Sequence, residues 1–174
     1  MNLAVAEPPP IETSNSKLDF DTLYRECRDD VYAYVAYVLG TQQLAEDATA
    51  ATFERAYKRR QSYDAKRGTP RSWIFQLARS TALDELRRTK RRRQRERDAQ
   101  AAEPLFGTEP DTAARSDLGA ALAKLSPGDR ELLALRFYAD LSYVEIARVL
   151  GTSESNAGTQ LHRAIKKLRR LLDA

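Results

Sequence analysis

Residues 141–172, LSYVEIARVLGTSESNAGTQLHRAIKKLRRLL, decide the fold. The stretch predicts a helix, a tight turn and a second, longer helix. Ser142 is a good N-cap, and Glu145 three residues on completes a capping box. Ile146, Ala147 and Leu150 give the short helix one apolar face. Gly151 stops it, because glycine accepts the left-handed backbone of a sharp exit. Ser153 caps the next helix, whose inner face is Ala157, Leu161, Ala164, Ile165, Leu168 and Leu172 at helical spacing. Its outer face carries Thr159, His162, Arg163, Lys166, Lys167 and Arg170. A glycine-turned helix pair with a basic second helix is the DNA-reading helix-turn-helix. The plainer reading is a helical hairpin with solubilising charges, but the turn length and double capping suit the DNA motif.

The rest of the chain is read outward from there. Its 174 residues suffice for one or two small domains, and scarce glycine and proline point to an all-α protein. Lys plus Arg is 29 against 25 acids, a net charge of +4 that is spread very unevenly. Cys27 falls on an apolar helix face and reads as a small buried hydrophobe. No apolar run is long enough for a membrane span and the amino terminus lacks signal-peptide features, so a cytoplasmic protein without membrane insertion is expected.

Residues 1–17 are proline-rich and polar and are expected to be a disordered tail. Helices are predicted from Leu18 to Gly40, from about Gln43 to Arg60, and from Thr69–Pro70 onward. The first has the stripe Phe20, Leu23, Tyr24, Cys27, Val31, Tyr34, Val35 and Val38. The second has Leu44, Ala48, Phe53, Ala56 and Tyr57, and the third Trp73, Ile74, Leu77, Ala78, Ala82 and Leu86. The third runs on into RRTKRRRQRER, residues 87–97, with eight bases and one acid. Such like charges repel one another, and phosphate contact relieves the repulsion. Residues 98–115 lose the periodicity and carry four acids against one base, the pattern of a flexible acidic linker. Residues 116–174 then form a second domain. Leu118, Ala121, Leu122 and Leu125 make its first stripe, Ser126–Asp129 predict a second capping box, and Leu132, Leu133, Leu135 and Phe137 follow. Two small helical domains, 18–97 and 116–174, are thus joined by a tether. That layout suits two separated sites on one duplex.

At this point the chain resembles the extracytoplasmic-function, or group four, sigma factors of bacterial RNA polymerase, a branch of the sigma-70 family. FDTLYRECRDDVYAYV, AEDATAATFERAY and RGTPRSWIFQLARSTALDELRR are similar to the sigma-2 domain. LAKLSPGDRELLALRFYADLSYVEIARVLG and LHRAIKKLRRLL are similar to sigma-4. The resemblance implies that the chain binds core polymerase and directs promoter-specific initiation, without catalysis, cofactor or metal. It implies core docking through Glu46, Asp47, Ala50, Ala51 and Glu54. It implies minus-ten contacts by Tyr63 and Asp64 in the loop that captures a flipped base, and by Arg71, Arg79, Ser80, Asp84, Arg87, Arg88 and Arg91 along the third helix. It implies minus-thirty-five contacts by Arg136, Ser153, Ser155, Asn156, Gly158, Thr159, His162, Arg163 and Lys166. Trp73 is expected to pack in the core rather than touch a base. An anti-sigma factor is a further candidate partner.

Departures from the family pattern matter as well. Ala50 and Ala51 stand where the family usually has Gln and an acid. Ala157-Gly158-Thr159 lacks the usual basic residue of the reading helix, and Ser80 replaces a usual Asn. Thr49 and Thr52 flank the missing acid, so a Ser/Thr kinase acting on either is a candidate route to restoring charge there. The plainer reading is that Asp47 and the remaining contacts suffice and that both threonines are merely tolerated helix residues, Thr52 being close enough to Phe53 for burial to bar its modification. The rival function is a stand-alone helix-turn-helix regulator. It would need no docking helix and no flipping loop. An enzyme is not expected, since no nucleophile–base pair, metal-ligand set or phosphate loop is visible.

Overall fold

The computed structural model describes residues 18–99 and 117–173. The expected tail and residues 100–115 of the expected linker lie outside them, whereas residues 98 and 99, expected to open the linker, are still helical. Among the described residues there are seven α-helices and no strand. They are α1 (Phe20–Leu39), α2 (Gln42–Arg59), α3 (Pro70–Ala99), α4 (Asp117–Ala123), α5 (Pro127–Phe137), α6 (Tyr143–Leu150) and α7 (Glu154–Leu172). Two short 3-10 turns, Arg60–Ser62 and Ala65–Arg67, bridge α2 and α3. None of these helices is long and apolar enough to cross a membrane.

The starts and stops follow local chemistry. Asp19 caps α1 by accepting from the Thr22 amide, and Gly40 ends it at φ 74°. Ser142 and Glu145 form the expected reciprocal capping box on α6, and Gly151 ends that helix at φ 68°. Ser153 caps α7 through the Asn156 amide. The second expected box is only half made: Ser126 accepts from the Asp129 amide, but the Asp129 carboxylate turns to Lys167 at 2.6 Å.

α1, α2 and α3 pack on one another, while α5, α6, α7 and the short α4 form the second unit. Val31, Tyr34, Ile74, Phe75 and Ala78 lie at the centre of the first, and Leu135, Leu141, Ile146 and Leu161 at the centre of the second. Each fully buried Leu or Ile stabilises by about 1.5–3 kcal/mol relative to exposure. The stripes are shifted from expectation at their edges. Tyr24, Tyr57, Leu86, Leu118, Phe137 and Leu172 are exposed, whereas Phe75, Ala139 and Leu141 are buried. Leu86 is exposed because the core-facing part of α3 ends near Ala82, and the remaining turns project beyond the bundle. Phe137 is 66% exposed at the last position of α5, where the helix ends.

The two units also pack against one another, through α3 on α6 and α1 on α5. Their cores form one continuous cluster. A tether between freely separate modules would not require this seam.

Candidate nucleic-acid interface

α2 divides cleanly between its two faces. Ala45, Ala48, Thr49, Thr52, Phe53 and Ala56 recur at helical spacing and are buried. Glu46, Asp47, Ala50, Ala51 and Glu54 therefore fall together on the opposite, exposed face. This overturns the kinase expectation. Thr52 is fully buried and its hydroxyl donates to the Ala48 carbonyl at 2.7 Å. Thr49 is 8% exposed and its buried hydroxyl has no hydrogen-bond partner among the described residues. Both threonines belong to the stripe that binds α2 to its own bundle, so a kinase could reach neither without unfolding the helix.

The loop after α2 is pinned from within. The Tyr63 hydroxyl donates to the Gly68 carbonyl at 2.9 Å, and the ring meets Trp73 edge-on at 5.6 Å. Asp64 accepts from the Lys66 amide and so shapes the second 3-10 turn. Trp73 is half-buried against the core, as its stripe position implies. Thr69 caps α3 by accepting from the Ser72 amide at 3.1 Å.

α3 carries the minus-ten candidates in two groups. Arg87, Arg88 and Arg91 are exposed on its projecting half, with Asp84 half-buried just before them. Arg87 pairs with Asp84 at 3.1 Å and Arg88 with Glu85 at 3.7 Å, both within the helix. Arg91 and Arg93 have no acidic partner among the described residues. Arg71 and Arg79 behave differently, because both face the second unit. Arg71 donates from Nε to the Ala139 carbonyl at 2.6 Å and pairs with Asp30. Burial opposes its charge, but the hydrogen bond and charge of Asp30, together with the neighbouring Cys27, outweigh that and hold the guanidinium above its ordinary range. Arg79 donates from Nε to Glu131 Oε1 at 2.8 Å. Ser80 lies half-buried beside it, where its hydroxyl accepts from Arg55 at 3.3 Å.

The seam holds residues that sequence reading missed. Glu131 Oε1 also accepts from the Tyr34 hydroxyl at 3.0 Å, ninety-seven positions away. Burial, with Glu131 adding to it, pushes the Tyr34 phenol well above its ordinary range. Tyr37 stacks at a tilt on Tyr138 at 5.7 Å. Thr69 donates to Glu145, the same acid that closes the α6 capping box. Cys27 is buried beside Arg71, and burial pushes its thiol up against the pull of that guanidinium.

In the helix-turn-helix, Ser155, Asn156, Thr159, His162, Arg163 and Lys166 are exposed on one side of α7, with Ser153 at its cap. Asn156 is held from both sides, donating to Thr152 at 2.6 Å and accepting from Gln160 at 3.1 Å. Gly158 is half-buried near Tyr143, and a Cβ there would sit 4.0 Å from that ring. Arg136 does not reach this surface freely. It donates to the Leu141 carbonyl at 2.9 Å and covers the Tyr143 ring, fixing the turn between α5 and α6.

Comparison with known proteins agrees with this architecture. Residues 23–92 match the family model of sigma-70 region 2, and residues 115–168 match that of sigma-70 region 4. The two matches together cover well over half of the chain, which belongs to the sigma-70 family. Within it, the chain is a sigma factor of the extracytoplasmic-function type. It is 32% identical to the ECF RNA polymerase sigma factor BldN of Streptomyces coelicolor over 162 residues, 88% of this chain and 60% of that one. It is 29% identical to the ECF sigma factor SigM of Bacillus subtilis over 163 residues, 88% of this chain and 95% of that one. In fold it is similar to the sigma factor RpoE of Bartonella quintana, solved with the anti-sigma factor NepR. The TM-score is 0.71 at 22% identity, over 90% of this chain and 98% of that one. CnrH, solved with the cytosolic domain of CnrY, gives a TM-score of 0.64 at 24% identity, over 88% of this chain and 87% of that one.

Proposed function

We propose that this chain docks on core RNA polymerase through Glu46, Asp47, Ala50, Ala51 and Glu54, and directs initiation at promoters read at two elements. The observation that carries the reading is the sorting of α2. Its buried stripe is complete without these five residues, so nothing in the fold itself requires their surface. Downstream, the pinned Tyr63–Asp64 loop and Arg87, Arg88 and Arg91 of α3 meet the minus-ten region, with Arg71, Arg79, Ser80 and Asp84 along the same helix. Flipping a base costs a few kcal/mol of unstacking, and a rigid loop offsets part of that by being ordered beforehand. The exposed side of α7 enters the major groove of the minus-thirty-five element. Ser153, Ser155, Asn156, Thr159, His162, Arg163 and Lys166 line that side; Arg136 supports it, and Gly158 lets the duplex approach closely.

The chain works as a specificity factor inside the cell and catalyses no reaction of its own. An anti-sigma factor is a fitting partner, because RpoE of like fold was solved with the anti-sigma factor NepR. A stand-alone DNA-binding regulator is less well supported, since it leaves the α2 face without a purpose. The test is transcription by purified core polymerase on a random promoter library, with and without the chain. Enrichment of a two-part promoter is expected. Duplex binding with no core-dependent initiation would favour the stand-alone regulator.

A further inference from the structure

Resting on the reading of α7 given above, we propose that Asn156 reads one adenine of the minus-thirty-five element, and that Thr152 and Gln160 are the positioning residues that aim it. An asparagine amide carries two donor hydrogens on Nδ2 and two acceptor sites on Oδ1. Unheld, it turns about its last torsion, and donor and acceptor change places. Here both ends are tied. Nδ2 donates to the Thr152 hydroxyl in the turn at 2.6 Å, and Oδ1 accepts from Gln160 Nε2, about one helical turn on, at 3.1 Å. The nitrogen therefore faces the turn and the oxygen faces along the helix. Each tie uses one hydrogen or one acceptor site. One of each remains, side by side, on a residue that is exposed.

An adjacent donor and acceptor match N7 and the N6 amino group, which adenine presents in the major groove. Guanine offers two acceptors there, thymine one acceptor and a methyl group, and cytosine one amino donor. Each of these meets only half of the pair. Placement agrees with the chemistry. Asn156 is the third residue of α7, at the end by which a recognition helix reaches base edges. Ser153 already caps that end through the Asn156 amide at 3.2 Å, so the helix start does not depend on the Asn156 side chain. The same cap fixes the backbone beneath it. A side chain set in advance loses less freedom when it binds. Thr152 and Gln160 thereby act in recognition without touching a base.

The test is core-dependent transcription from promoters randomised across the minus-thirty-five element, with base preference scored at each position. Wild type is compared with Asn156→Ala, Asn156→Asp, Thr152→Val, Thr152→Ser and Gln160→Ala, and melting temperatures are measured in parallel. Wild type is expected to favour adenine at one position by about tenfold. Asn156→Ala should lose that preference at that position alone. Asn156→Asp, whose carboxylate only accepts, should move it to cytosine at the same position. An acid suits the first turn of a helix, so this variant keeps its fold. Thr152→Val and Gln160→Ala retain Asn156 but release one tie each, and should flatten the adenine preference several-fold. Thr152→Ser returns the hydroxyl and should return the preference. A merely structural role would instead lower the melting temperature and blur every position together, which overturns the proposal. Full adenine preference in Asn156→Ala overturns it too, as does full preference in both Thr152→Val and Gln160→Ala. Wild type that initiates with no base preferred at any minus-thirty-five position overturns it along with the reading of α7. If no core-dependent initiation occurs, the proposed function fails separately, and selection of randomised duplexes by the chain alone decides the adenine by the same outcomes.

Discussion

At the scale of single residues, function and packing compete for the same short stretch of α2, and the threonines show which won. Thr49 and Thr52 sit four and one positions before Phe53, on its stripe. That periodicity is visible in the sequence and places Thr52 beside Phe53, whereas the burial of Thr49 is not legible there, because a threonine is polar enough to read as exposed. Thr49 carries a buried hydroxyl with no partner among the described residues. Thr49→Val keeps the shape and removes that cost, and should raise stability by up to about 1 kcal/mol in urea unfolding. Thr52→Glu would place an unpaired carboxylate in the core and should cost about 2 kcal/mol or more. Ala51→Glu, on the exposed face, should change stability by less than about 0.5 kcal/mol. The residues of the seam were not legible at all. Tyr34 and Glu131 meet across ninety-seven positions, and no local pattern marks either as a partner.

At the scale of elements, most boundaries were legible because they rest on local chemistry. Asp19, Ser142 and Ser153 cap where a short polar side chain precedes an apolar period. The half-made box at Ser126 was not legible, because Lys167, thirty-eight residues on, draws the Asp129 carboxylate away. That hydrogen bond holds the Asp129 carboxyl below its ordinary range. α7 carries an opposite kind of anomaly. Gly158 interrupts an otherwise good helix former, yet its helical backbone and the 4.0 Å clearance to Tyr143 leave room for a methyl group. Gly158→Ala should therefore stabilise the helix-turn-helix by about 0.5–1 kcal/mol, read as a higher melting temperature. A glycine that costs stability without a steric need for it fits a role at the groove. The same variant should alter minus-thirty-five preference in the promoter library, with minus-ten preference unchanged.

At the scale of the whole molecule, charge separates into a part that the fold consumes and a part that it leaves free. Arg91, Arg92 and Arg93 lie on the projecting half of α3, with Glu96 opposite Arg92 as a weak local partner at 3.7 Å. Side chains that alternate around a helix end cannot all reach base edges, so they are expected to supply affinity without sequence. Replacing all three with Ala should weaken promoter binding and lower the salt slope by up to about one unit for each phosphate left without its cation. A changed minus-ten consensus at an unchanged slope would contradict this. The composition showed where such charge collects but not that Arg71 and Arg79 are drawn into the seam, because only the closure of the two units brings their partners near. Glu145 belongs to the same closure. Its carboxylate satisfies the amide of Ser142 at the start of α6 and accepts from Thr69, whose own oxygen caps α3. Burial disfavours its charge, yet these bonds and Arg71 prevail and hold its carboxyl below the ordinary value of 4.5. A folded-state value that is depressed stabilises above the ordinary range and stops doing so as pH falls through the folded value. The ends of two helices from different units thus share one proton-sensitive joint, and calorimetry should register it as cooperativity. A single heat-absorption peak is expected near neutral pH. It should split into two, one for each unit, as the pH falls through and below the depressed folded-state value of Glu145. Glu145→Gln, with no charge left to lose, should show the split at every pH.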